Sequence, residues 1–150
     1  MTKQKTAGES QRTIVREGMK QILNPTKNWQ RTICIDFDGV IAQYKGWKGP
    51  DYYGEPMKGS KEFLQNLKKR GIKIVIFTIR PADKIRKGFR DYNFPLPQKI
   101  TNVKIPAAVY IDDRAVKFNG SFLSLRKELN NFTVYWNKEN LLRHYFDGRV

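Results

Sequence analysis

Four short runs of apolar and β-branched residues punctuate the chain: TICI at 32–35, IKIVIFTI at 72–79, AAVYI at 107–111 and FTVYW at 132–136. Such short, nearly continuous apolar runs are what strands buried on both faces require. Between them the spacing of apolar residues changes to three and four. SKEFLQNLKKR carries Phe63, Leu64 and Leu67 inward, with Ser60 as a candidate cap and Gly71 as a stop. PADKIRKGFRDY opens with Pro81 at a first helical position. SFLSLRKELNN places Phe122, Leu125 and Leu129 at helical spacing. Strand and helix in alternation predict an α/β layered fold around a mainly parallel sheet.

Ahead of this pattern, residues 1–30 read as a basic arm, leaving 31–150 as the folded domain. Within the arm, TIVREGMKQIL puts Ile14, Val15, Met19, Ile22 and Leu23 near one helical face. Asn24-Pro25 should stop that helix, and Gly18 weakens it. The arm is expected to dock on the domain, contact a second copy or stay free.

Composition narrows the class. A chain of 150 residues fits one compact domain, and 39% hydrophobic residues argue against global disorder. No apolar run approaches the roughly 20 residues of a membrane span. The start, MTKQKTAGES, lacks the apolar core of a secretory signal. Cys34 is the single cysteine, so an internal disulfide is excluded, and its place within ICI predicts a buried structural thiol. The single histidine, His144, excludes a histidine-rich metal site and is expected at the surface. Together these features lead us to expect a cytoplasmic protein without membrane partners. The outlier is a formal charge of +15, which calls for anionic partners: nucleic acid, nucleotides or an acidic surface.

In an open parallel sheet, ligands gather beyond the carboxyl ends of the strands. The first run delivers Asp36 and Asp38 there, the second Thr78 and Arg80, and the third Asp112, Asp113 and Arg114. Lys104 lies just before the third run. Each has a plain alternative: a strand residue, a solvated loop charge, an Asp-Gly turn. Their joint placement suits phosphoryl transfer to a carboxylate. One carboxylate acts as nucleophile, several hold a cation, a lysine and a hydroxyl bind phosphoryl oxygens, and a second carboxylate moves the proton.

DFDGV, VIFTIR, a lysine and IDD, in that order, resemble the four motifs of the haloacid dehalogenase-like (HAD) phosphohydrolases. The resemblance runs from about Thr32 to Trp136 and implies a three-layer Rossmann-like fold. It implies Asp36 as nucleophile and Asp38 as general acid and base. Thr78 and Lys104 would hold the phosphoryl group, with Lys99 an alternative lysine. Asp36, the Asp38 carbonyl, Asp112 and Asp113 would hold magnesium, with Asp113 expected nearer the metal than Asp112. Receiver domains use similar groups, but there the acidic pair comes first and the phosphorylated aspartate later. Asp38 also favours a phosphatase over the dehalogenases and ion pumps, which lack an aspartate at that position.

Neither insert, at 40–59 or 80–107, is long enough for a separate cap domain, so an open site is expected. In the first, QYKGWKGPDYYGEP carries Tyr44, Trp47, Tyr52 and Tyr53 among glycines and lysines. Such rings either stack bases or pack on one another as a flap. T-x-R and DDR are similar to the phosphatase domain of polynucleotide kinase-phosphatases, a likeness that adds Arg80 and Arg114 to the phosphate-binding set. No GxxxxGK[ST] loop is present for a kinase. LKKRGIK and KIRKGFR are either a nucleic-acid track or solvated helix faces. The leading expectation is a magnesium-dependent phosphatase for nucleotides or nucleic-acid ends. The alternatives are the same chemistry on an unrelated small phosphate ester, or a non-catalytic nucleic-acid-binding protein.

Overall fold

The structure, a computed structural model, describes residues 29–139. The expected arm helix and His144 lie outside the described residues. A 3₁₀ turn, Trp29–Arg31, leads into β1, Thr32–Ile35. There follow α1, Ser60–Lys69; β2, Lys73–Phe77; α2, Ala82–Asp91; β3, Lys99–Thr101; β4, Val109–Ile111; and α3, Phe122–Asn130. The strands make one sheet in the order β3-β2-β1-β4, with every pairing parallel. The chain therefore has an α/β fold. No helix among the described residues is long and apolar enough to cross a membrane.

Side-chain alternation along the strands builds the core. Ile35 on β1 aligns with Ile76 on β2, and both are buried in one cluster with Leu64 of α1 and Ile85 and Phe89 of α2. Each fully buried Ile, Leu or Phe of this kind contributes roughly 1.5–3 kcal/mol. Cys34 aligns with Val75 and Tyr110, and so faces the other side of the sheet. It is completely buried, as the ICI context predicts.

Several local expectations are corrected. FTVYW is not a strand. Val134 is buried, but the chain turns immediately after it, and the Asn137 N–H donates to the Val134 carbonyl at 3.2 Å. The turn carries Tyr135 and Trp136 over the ends of β1 and β4, where their polar atoms find partners that an extended strand would not offer. The strand that sequence reading missed is β3: KIT holds one apolar residue, and only pairing with β2 identifies it. Ser60 does not cap α1. Gly59 is the N-cap in a left-handed conformation, and the Ser60 hydroxyl is buried without a partner among the described residues. Phe63 is exposed, not inward. Pro81 precedes α2 as its N-cap, and Ser121 caps α3 by accepting from the Ser124 N–H. Leu125 and Leu129 are half-buried, while Phe122 is exposed.

Candidate active site

β1 carries Asp36 past the sheet edge, and the Asp36 N–H donates to the Ile111 carbonyl at 2.9 Å. That bond seats the first aspartate beside the end of β4. The next side chain, Phe37, is fully buried and anchors the loop in the core, leaving Asp36 and Asp38 half-buried on either side of it. The Ile41 and Ala42 N–H groups both donate to the Phe37 carbonyl, and the Gly39 N–H donates to Ala42. Gly39 has φ +84°, and a Cβ there would lie 2.6 Å from Asp113 Oδ2 and 3.1 Å from Trp136 Nε1. Only glycine meets both the conformation and the close approach.

Thr78 follows β2, buried, with its N–H donating to the Thr101 carbonyl at 2.9 Å. Asp112 and Asp113 follow β4. Asp112 Oδ1 accepts the Arg114 N–H at 2.7 Å, and Asp113 Oδ2 accepts the Trp136 indole N–H. Asp36, Asp112 and Asp113 each place one oxygen within 4.8 Å of the others. Asp113 Oδ1 is buried with no hydrogen-bond partner among the described residues.

A cleft of about 230 Å³ opens over these groups. Asp36, Asp38, Thr78, Asn102, Asp112 and Arg114 supply its polar lining, and Tyr44, Trp47, Phe77 and Ile79 its apolar walls. Asn102 was not anticipated. It follows β3, so the signal for it was the unrecognised strand.

Arg80 is almost wholly buried, and its guanidinium is engaged by protein groups. Nε donates to Asp38 Oδ2 at 2.5 Å and Nη2 to Asp38 Oδ1 at 3.0 Å. Nη1 donates to the carbonyls of Gly49 at 3.1 Å and Pro50 at 3.3 Å. The Trp47 ring lies over it, 4.6 Å from the centroid. This bidentate fork fixes Asp38 and pins the first insert. It does not line the cleft, whereas Arg114 does.

Lys104 is outside the cleft lining, with its ammonium 5.4 Å from the centre of the Tyr110 ring. Lys99 opens β3, at the amino end of that strand and away from the carboxyl-end groups. Lys68 and Lys69 end α1 just before β2 begins, at the amino-terminal edge of the sheet and away from the cleft. On α2, Lys84 pairs with Asp51, and Lys87 pairs with Asp91 at 2.5 Å. The insert rings divide between two tasks. Tyr53 packs against Phe37 and Tyr92, while Tyr44 meets Trp136 edge-on at 4.8 Å.

Burial, followed by the charges of Asp112, Asp113 and Asp38, pushes the Asp36 carboxyl up to about 7 from its ordinary 3.8, although the Phe37 N–H pulls it down. Between those values the folded protein holds a proton that the unfolded chain has lost. Stability from this group is therefore present at low pH and lost as pH rises towards 7, by at most roughly 4 kcal/mol. Without divalent cations, Asp36→Asn should gain on the wild-type protein as pH rises from 5 to 8. Thermal melts in chelator check this, and a constant difference between the two proteins would contradict it.

No family model matches this chain, and no curated protein matches it significantly. Among solved structures it is similar to a conserved protein from Bacteroides thetaiotaomicron, at 19% identity and a TM-score of 0.47. That likeness covers 67% of this chain and 89% of the other.

Proposed function

We propose that the chain is a magnesium-dependent phosphomonoester hydrolase of the haloacid dehalogenase-like type, acting on nucleotides or terminal phosphates of nucleic acid. The observation that carries this reading is the gathering of Asp36, Asp38, Thr78, Asp112 and Arg114 in one cleft at the carboxyl ends of parallel strands.

A divalent cation fits the residues present. Asp36, Asp112 and Asp113 are hard oxygen donors in one cluster, and Asp113 has a buried oxygen without a partner among the described residues. When bound, magnesium would shield the phosphate charge and hold Asp36 ionised. Asp36 attacks phosphorus, and the bond to the leaving oxygen breaks as Asp38 gives that oxygen a proton. Water then attacks the phosphoryl group and gives its proton to Asp38 as the bond from Asp36 to phosphorus breaks, which frees the carboxylate and releases inorganic phosphate. Each Asp38 oxygen accepts one Arg80 N–H and keeps a further lone pair for this transfer. Thr78, Asn102 and Arg114 bind the phosphoryl oxygens. Lys104 lies outside the cleft lining and would have to leave the Tyr110 ring to join them. Arg80 acts by positioning Asp38.

Tyr44 and Trp47 support a flat, base-like leaving group, because stacking is worth ~1–3 kcal/mol per base. The second reading, a small unrelated phosphate ester, is favoured by Lys68 and Lys69 lying away from the cleft. A panel of nucleotides, phosphorylated oligonucleotides and sugar phosphates separates the two. Turnover should need magnesium, stop in EDTA and be highest with the nucleotide or oligonucleotide substrates. Highest turnover on sugar phosphates would favour the second reading, and metal-independent turnover would overturn the carboxylate assignment. Binding of oligonucleotides without turnover would leave a non-catalytic binder.

A further inference from the structure

We infer that Trp136 is a positioning residue for the candidate site, holding Asp113 for a divalent cation and Arg114 for phosphate; this rests on the function proposed above. The indole N–H donates to Asp113 Oδ2. One carboxylate oxygen is thereby fixed, and the other, Oδ1, is buried without a partner among the described residues, in a carboxylate that offers one oxygen within 4.8 Å of those of Asp36 and Asp112. Indole is a donor only and carries no charge. It orients the carboxylate without introducing a positive group that would compete with the cation, as a lysine or arginine would.

The same ring acts on Arg114, whose guanidinium lies 5.0 Å from the Trp136 centroid and 5.4 Å from that of Tyr44. The attraction of the two ring faces steers a cation without neutralising it. A carboxylate in that place would cancel the charge that phosphate needs. Tyr135 anchors the turn from the other side, its hydroxyl donating to the Gly39 carbonyl at 2.6 Å. The turn thus ties the loop after β1 to the acidic pair after β4.

Groups that orient a metal's ligands typically change metal affinity or activity ~10- to 100-fold when removed. Trp136→Phe keeps a ring beneath Arg114 but loses the N–H. It should weaken magnesium by about that 10- to 100-fold, read from the rise in melting temperature across a magnesium titration. Its KM for a small phosphate ester at saturating magnesium should stay near the wild-type value. Trp136→Ala should raise both quantities. A folded Trp136→Phe protein with wild-type magnesium affinity would overturn the inference and leave the proposed function standing. A wild-type protein whose melting temperature ignores magnesium would overturn both. Should Trp136→Phe not fold, Trp29→Phe with Trp47→Phe leaves Trp136 as the sole indole of the three in the chain. Its emission should then change with magnesium at the half-saturation seen in that double variant's own melts, and emission that ignores saturating magnesium would overturn the inference.

Discussion

Asp36→Asn should end turnover of every phosphate ester while making the metal-free protein more stable at pH 8. An amide oxygen cannot form the acyl-phosphate, and loss of a nucleophile typically costs on the order of 10⁴-fold or more. Stability should move the other way, because the substitution removes a buried carboxyl crowded by Asp112, Asp113 and Asp38. Opposite signs are the diagnostic feature. Inactivity with a lower melting temperature would indicate damage to the fold instead of loss of a nucleophile. Near-normal turnover would remove Asp36 from that role. Steady-state rates and melts on the same preparation measure both.

The second large effect is expected at Arg80. Arg80→Ala leaves Asp38 in a site where only 16% of its side chain is exposed, without the cation that balances it. Breaking such a pair by removing one partner commonly costs ~3–5 kcal/mol. It also releases the Gly49 and Pro50 carbonyls and the Trp47 ring from the cleft wall. Turnover should fall by about the ~10²- to 10⁴-fold that acid–base help supplies, since Asp38 loses its orientation. Arg80→Lys should recover part of the stability and little of the rate, because an ammonium cannot make the two-pronged bond. Adding Asp38→Asn to Arg80→Ala should cost less than the sum of the two changes, since the stranded charge is gone. Additive losses would show that Arg80 and Asp38 act independently. Denaturant unfolding and kcat for the four proteins complete the cycle.

How legible each part was depends on whether its signal is local. The runs around Ile35 and Ile76 declared themselves because a strand covered on both faces must be apolar nearly throughout, and the run ending at Ile111 did so by composition although its Val109 is exposed. Helix α1 did so through its spacing and the stop at Gly71, where φ is +67°. β3 stayed hidden because an edge strand of three residues leaves almost no pattern. FTVYW misled because β-branched and aromatic residues fit a strand in general but do not require one. Its tyrosine hydroxyl and indole N–H found partners on Gly39 and Asp113, which lie near it only after folding.

The candidate site divides along the same line. Strand order and the rule of carboxyl-end ligands were enough to gather Asp36, Asp38, Thr78, Asp112 and Arg114 from the sequence alone. Backbone position fixes where those residues emerge, and a parallel sheet leaves that position little freedom. What each long side chain then does was beyond the sequence. Arg80 turns to Asp38, Lys104 lies over Tyr110, and Lys68 and Lys69 end up away from the cleft. A flexible cation takes its partner from whatever packs beside it, and for Arg80 that neighbour comes from elsewhere in the chain. The sequence by itself determined the α/β layering and the carboxyl-end set of acids. Only the tertiary structure decided that Arg80 turns to Asp38 and that Trp136 closes over Asp113, because those two contacts join residues 42 and 23 positions apart.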